Sequence, residues 1–298
     1  MRIHQDWSTD GFDLEPVAPA TSVFPRRGYL ECWWRHFGDG ELNLVEDEAA
    51  LLAVWRARDE VISFVGDEDL TDYHTPLGSG AGALLRQYLS ELPIGTRFRF
   101  DSLPAEAADE MASGLGPVTG RMQHEAAFSL SLPADFDAFL AGLSKKERHE
   151  LRRKHRRFAD AAGAPRLLEG TVDPVGTFVE MHRKADGSKG RFMTPEREAF
   201  FRDLATLGGA RVDLLAGEDG AALAASIGFQ DDDGYYLYNS AYDPSSAAVS
   251  PGMVLLWMLF QTAIEAGTAR FDFLKGDEAY KLRLGAQARP LYVLEGTT

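Results

Sequence analysis

Residues 211–242 constrain the fold more than any other stretch of the chain. Three runs with strand character, RVDLLAG (211–217), ALAASIGFQ (222–230) and YYLYNSAY (235–242), are separated only by short turns carrying EDG and DDDG. Connections that short join only antiparallel neighbours, because a parallel crossover needs about a dozen residues or more. An antiparallel meander therefore lies here, and the other elements must pack around it. Before it come a strand at AFSLSLP (127–133), a strongly basic helix, and helices around FVEMHRKA (178–185) and PEREAFFRDLATL (195–207). The last of these opens on Thr194 as N-cap and Pro195 in the first turn, with acids beside them. After the meander come a helix PGMVLLWMLFQTAIEAG (251–267), a strand RFDFL (270–274), a short helix GDEAYKLRL (276–284) and a last strand PLYVL (290–294). From residue 127, with the helices of 178–207 taken as one segment, the order is thus β-α-α-β-β-β-α-β-α-β.

The first half reads as mixed too. A short aromatic helix at 28–37, strands at 42–45 and 61–65, a helix at 80–92, a strand RFRFDSLP (97–104) and a helix AADEMASGLG (107–116), ended by its glycine, are expected. At 298 residues the chain exceeds the ~100–200 of one domain, so two domains are expected, divided as 1–125 and 126–298. The fold class is α/β (α+β), with a mixed, mostly antiparallel sheet flanked by helices.

Charge and cysteine content exclude several classes of function. The chain carries 46 Asp and Glu against 31 Lys and Arg, a net −15, which argues against a general nucleic-acid coat. Cys32 is the single cysteine, so no intrachain disulfide framework and no thiolate zinc site is expected. The seven His show neither HxH nor HExxH spacing, and no metal is expected. The longest apolar run, MVLLWMLF (253–260), is far short of the ~20 residues that span a bilayer. The N-terminal stretch has no apolar signal core, and a cytoplasmic location is expected.

Against this acidic background, LSKKERHELRRKHRRF (143–158) holds eight of the 31 basic residues. At about 100° per residue, Leu143, Leu151 and Phe158 form a narrow apolar stripe, with Glu147 and Lys154 intruding. Arg148, Arg152 and Arg156 lie on the opposite face with Lys145, His149 and Arg153, an anion patch. Glu150 can meet Lys154 at i,i+4, which leaves most of these charges to repel one another.

The order of elements, together with LSKKERHELRRKHRRF, the YDP followed by SPGMVLL, FDFLKGDEAYKLRLGA and, in the first half, SFVGDEDLTDYHTPL, resembles the GNAT acyltransferases. Within them it is similar to the CelD-type acetyltransferase branch, which is related to the Fem-type peptidyltransferases. The resemblance runs from about residue 60 to 295 and implies two GNAT-like halves, the first degenerate. It implies acyl transfer to an amine or hydroxyl acceptor, with acetyl-CoA or another acyl-CoA as co-substrate. An aminoacyl-tRNA donor, as in Fem-type enzymes, is the alternative. A catalytically inert ligand-binding homologue is the third reading, because one glycine stands where the fuller family loop has Q/RxxGxG/A.

The resemblance also suggests a site. Ser250, Pro251, Gly252 and Met253 open the helix whose unpaired N–H groups would hold the pyrophosphate of the CoA thioester. Pro251 suits a first helical turn, and Gly252 lets a ligand approach the backbone. Amine acyl transfer needs a proton acceptor, help for an oxyanion and a donor to the leaving group. Asp272 or Glu278 is expected as base, Tyr280 as donor and Lys281 as electrostatic stabiliser. Asp72, Tyr73, His74, Tyr238, Asn239 and Lys275 are expected to bind substrate. On the strand at 235–242, Tyr236, Tyr238, Ser240 and Tyr242 should share one face, and Tyr235, Leu237, Asn239 and Ala241 the other. Three anions suit the basic helix: the 3′-phosphate of CoA, a nucleotide-sugar-like acceptor, or the backbone of a tRNA.

Overall fold

The computed structural model describes residues 1–58, 60–115 and 120–298. In chain order its first elements are β1 (Arg2–His4), α1 (Arg27–Phe37), β2 (Glu41–Glu46), β3 (Leu51–Arg56), β4 (Val61–Phe64), α2 (Ala81–Ser90), β5 (Arg97–Pro104), α3 (Ala105–Leu115) and β6 (Gly120–Ser131). There follow α4 (Phe136–Gly142), α5 (Lys145–Ala162), β7 (Arg166–Leu167), α6 (Pro174–Lys184), α7 (Ser188–Phe192), α8 (Pro195–Leu204), β8 (Ala210–Ala216), β9 (Ala222–Gln230) and β10 (Tyr235–Tyr242). The chain closes with α9 (Pro251–Glu265), β11 (Arg270–Lys275), α10 (Ala279–Arg283) and β12 (Gln287–Thr297). The fold is mixed α/β, with mostly antiparallel strand pairing and flanking helices. Gly116, expected to end α3, lies outside the described residues.

Two compact units emerge, Met1–Ala127 with Ala288–Thr298, and Phe128–Gln287. The expected division at 125/126 falls inside β6, and it assigned 288–298 to the second unit, whereas those residues belong to the first. In the first unit the strand order is β1-β2-β3-β4-β5-β12, with β4 and β5 parallel and the other pairs antiparallel. In the second, β6 lies next to β11, followed by β10, β9, β8 and β7. Only β10 and β11 pair in parallel along the run from β11 to β7. The two units repeat one plan: three antiparallel strands, a helix, a parallel strand and a second helix. The strand after that second helix is exchanged, for β6 leaves α3 to lie beside β11 while β12 leaves α10 to pair with β5.

Each unit has its own core. In the first, Val45, Leu52, Val54, Ile62, Phe64, Phe98 and Phe100 from the strands pack against Leu84, Leu85 and Tyr88 of α2 and Met111 of α3. In the second, Phe260 of α9 packs on Phe271 and Phe273 of β11 with ring centroids 4.5 and 5.9 Å apart. The basic helix α5 is anchored as its stripe requires: Leu143, Leu151 and Phe158 are buried, and Ser144 caps it by accepting from the Glu147 N–H at 3.1 Å. Thr194 caps α8 in the same way, accepting from the Arg197 N–H. Among the described residues no helix is long and apolar enough to cross a membrane.

Candidate active site

Strands β10 and β11 pair over only Tyr235↔Phe271 and Tyr236↔Asp272. Beyond that point residues 237–240, Phe273 and Lys275 supply the walls of cavities rather than further rungs. One cavity, about 370 Å³, is walled by His182, Tyr238, Asn239, Phe273, Lys275 and Lys281. A second, about 440 Å³, is walled by Lys154, Tyr242, Ser250, Pro251, Gly252 and Met253. Lys189, Leu237, Ser240, Glu278 and Tyr280 line both. A third, about 280 Å³, shares Lys154, Met253 and Tyr280 with the second and lies between α5 and α10.

A bulge shapes the first wall. The β9–β10 ladder skips a residue between Leu237 and Asn239. The expected two-faced alternation of β10 therefore fails there, and four consecutive residues, Leu237, Tyr238, Asn239 and Ser240, reach the cavity.

At the second cavity, α9 begins in an unusual way. Ser250 adopts the left-handed conformation (φ 55°, ψ 50°), and its hydroxyl does not cap the helix. A non-glycine residue held there costs about 1 kcal/mol or more, which marks a constrained position. A Cβ added at Gly252 would meet only Tyr242, at 3.6 Å, so nothing in the chain crowds this helix start. The equivalent helix of the first unit is closed. Glu110 accepts from the N–H groups of Gly80 and Gly82 at 3.2 and 3.0 Å, placing the chain's own carboxylate where an anion would sit. Gly82 and Gly114 also bring α2 and α3 into backbone contact, since a Cβ at Gly114 would fall 1.9 Å from the Gly82 oxygen. The open helix start thus belongs to the second unit.

The loop after β11 is held from below. Leu274 is buried at φ 58°, and its N–H donates to Asp272 at 2.8 Å. The Lys281 ammonium donates to the carbonyls of Lys275 (2.6 Å), Gly276 (3.1 Å) and Leu274 (3.4 Å), and lies 3.0 Å from Glu278 Oε2. Its three N–H groups are committed, so Lys281, expected as a stabiliser of reacting charge, holds the loop instead. Asp272, expected as a base, is fully buried, receives a hydrogen bond from Arg270 at 3.0 Å and lines neither cavity. Of the two carboxylates considered, Glu278 is the one that faces the cavities.

Tyr280 stands where the cavities meet. Burial, reinforced by the negative charge of Glu278, pushes its phenol well above the usual range, so it remains a protonated donor. His182 lies 3.2 Å from the Asn239 amide oxygen; burial and the charge of Lys189 lower its pKa, which keeps the ring neutral and able to donate to that oxygen. Lys189 was not indicated by sequence. It occupies an undistinguished GSKG run, and only the packing of α7 on α6 brings it to the cavity mouth.

Other expected residues lie elsewhere. Tyr73 and His74 are buried in the first unit. Tyr73 meets Phe24 edge-on beneath the Arg289 guanidinium, and His74 Nδ1 lies 3.2 Å from Asp101. Asp72 precedes them in the same unit, so this trio does not join the cavities described above. In the expected anion patch, Arg148 turns back to donate to the Leu140 and Ala141 carbonyls at the end of α4. Arg152 and Arg156 are exposed. Glu150 pairs chiefly with Arg153, at 2.7 Å, and more distantly with Lys154, at 3.8 Å.

Residues 145–282, which include every cavity residue named above, match the family model of the acetyltransferase (GNAT) domain. No curated protein matches the sequence. Among solved structures, a conserved protein of unknown function from Bacteroides thetaiotaomicron is similar over 100% of both chains, at 13% identity and a TM-score of 0.67. FemX is similar over 98% of this chain and 97% of its own, at 11% identity and a TM-score of 0.65. The C-terminal domain of a protein described as a lysylphosphatidylglycerol synthetase, from Agrobacterium fabrum, is similar over 92% and 89%, at 12% identity and a TM-score of 0.60. At these identities the likeness is one of fold.

Proposed function

We propose that the second unit transfers an acyl group from a thioester, acetyl-CoA or another acyl-CoA, to an amine or hydroxyl acceptor. The observation that carries this reading is the uncapped start of α9 opening on a cavity that also contains Glu278 and Tyr280. Pro251 has no N–H, and those of Ser250 and Met253 already donate to the Ala247 and Ser250 carbonyls, so the Gly252 N–H and the helix dipole would hold the donor phosphates. Tyr238, Asn239 and Lys275 would orient the acceptor. Glu278 would take the proton of the attacking amine or hydroxyl, and Tyr280 would donate to the departing thiolate as the carbon–sulfur bond breaks. Positioning in the paired cavities supplies most of the rate. The motifs at 143–158, 250–256 and 271–286 support the CelD-type branch of this family.

Calorimetry with acetyl-CoA, longer acyl-CoAs and tRNA tests the reading. Saturable binding of a CoA thioester is expected, and no detectable CoA binding overturns it. The exposed Arg152 and Arg156 favour a second reading, aminoacyl transfer from charged tRNA. That reading requires RNA binding that weakens steeply with salt and falls when both arginines are reversed to Glu.

A further inference from the structure

The charge of the first cavity identifies a class of acceptor. Its walls carry the cations Lys189, Lys275 and Lys281, the single acid Glu278, and His182, which burial keeps neutral. The second cavity adds Lys154 and no other acid. This local positive excess is built into a chain of net charge −15. Glu278 pairs with Lys281 at 3.0 Å, and Lys154 lies 3.8 Å from Glu150.

Lys189 is the informative one. It faces both cavities from α7, and no carboxylate among the described residues comes within ion-pair distance of its ammonium; Glu278 acts on it only from further away. Lys189 is itself solvent-exposed at the cavity mouth; the protein packed near it lowers its pKa, while the charge of Glu278 acts the other way. An ammonium that lines both cavities with no carboxylate beside it is placed to meet an anionic ligand through a charge-assisted hydrogen bond.

We propose that the acceptor is an amine that also carries a carboxylate or phosphate group, and that Lys189 binds this anion. The same cations disfavour an ammonium, so an acceptor docked by its anion presents its amine in the neutral, nucleophilic form. The transfer step rests on the acyltransferase reading above; the binding of the anionic amine does not.

The test uses the full chain and matched acceptors: phosphoethanolamine against ethanolamine, and β-alanine against its methyl ester. With acetyl-CoA as donor, the anionic member of at least one pair should show a kcat/KM at least about tenfold higher. The pair that shows it distinguishes phosphate from carboxylate. Lys189→Met should erase the preference and Lys189→Arg should keep it. Equal or better use of the neutral members, or a preference that survives Lys189→Met, overturns the proposal. If no acetyl transfer occurs, the acyltransferase reading fails separately, and calorimetry of the same four amines decides the rest. Binding of an anionic member that is weakened by Lys189→Met supports the proposal, and no binding, or binding indifferent to that change, overturns it.

Discussion

The Lys281 ammonium donates to the carbonyl oxygen of Lys275 at 2.6 Å, joining α10 to the loop that follows β11. With its bonds to the carbonyls of Leu274 and Gly276, it holds three successive peptide groups in place. That loop carries Lys275 to the cavity wall and leads into Glu278 and Tyr280, so one buried ammonium sets the position of three site residues.

Lys281→Met keeps the length and the apolar stem but leaves these carbonyls and Glu278 without their donor. A loss of about 2–4 kcal/mol in urea unfolding is expected. A loss under about 0.5 kcal/mol would show that the loop holds itself.

Tyr280→Phe removes one hydroxyl from the meeting point of the cavities. The fold should be retained, and the acyl-transfer rate should fall by roughly 10²-fold, with little change in thioester affinity. Because burial and Glu278 keep the phenol protonated, the wild-type pH–rate profile should show no loss of activity assignable to Tyr280 ionisation up to about pH 10. Unchanged kcat in the Phe variant removes Tyr280 from the mechanism.

Gly252→Ala separates ligand access from folding. The added Cβ would meet only Tyr242, at an ordinary 3.6 Å, and alanine favours the helix, so stability should hold or rise by up to about 1 kcal/mol. Thioester affinity measured by calorimetry should nonetheless fall about tenfold, because a methyl group would stand between the backbone and a phosphate.

Asp101 makes the stability of the first unit pH-dependent. Burial by itself would raise its carboxyl, but the hydrogen bond and charge of His74, with Ser102 and Arg99, outweigh that and hold it well below the usual carboxylate range. A folded-state pKa below the unfolded value of about 3.9 contributes stability above that pH, and the contribution is lost as pH falls toward the folded value. Urea unfolding should therefore show stability dropping below about pH 4. Asp101→Asn should cost about 2–4 kcal/mol at neutral pH and flatten that acid limb.

The arginines of α5 should separate by role. Arg148→Ala removes a cap from the end of α4 and should cost about 1 kcal/mol, while Arg152→Ala, at an exposed position, should stay within about 0.5 kcal/mol. Thermal unfolding of the two variants side by side measures the difference.

Local signals make much of the second unit legible in the sequence. The turns at 218–220 and 231–234 impose the meander, Thr194 and Pro195 open α8, and the spacing of Leu143, Leu151 and Phe158 orients α5. Strand β3, LLAVWR, escapes such a reading because it is buried along most of its length and so has no polar alternation. The polar start of β6, GRMQHE, escapes it for the opposite reason: it is mostly exposed and looks like a loop.

By itself, then, the sequence determines the order of elements, the antiparallel meander and the helix that opens on Pro251, since each follows from residues within a few positions of one another. Tertiary structure alone decides that β12 returns to the first unit, that a bulge turns four neighbours of β10 into one cavity, that Lys281 points inward and that Lys189 arrives beside Glu278 and Tyr280. These outcomes depend on distances between groups far apart along the chain, and on which carbonyls and charges burial leaves to be satisfied. No spacing in the sequence encodes either one locally.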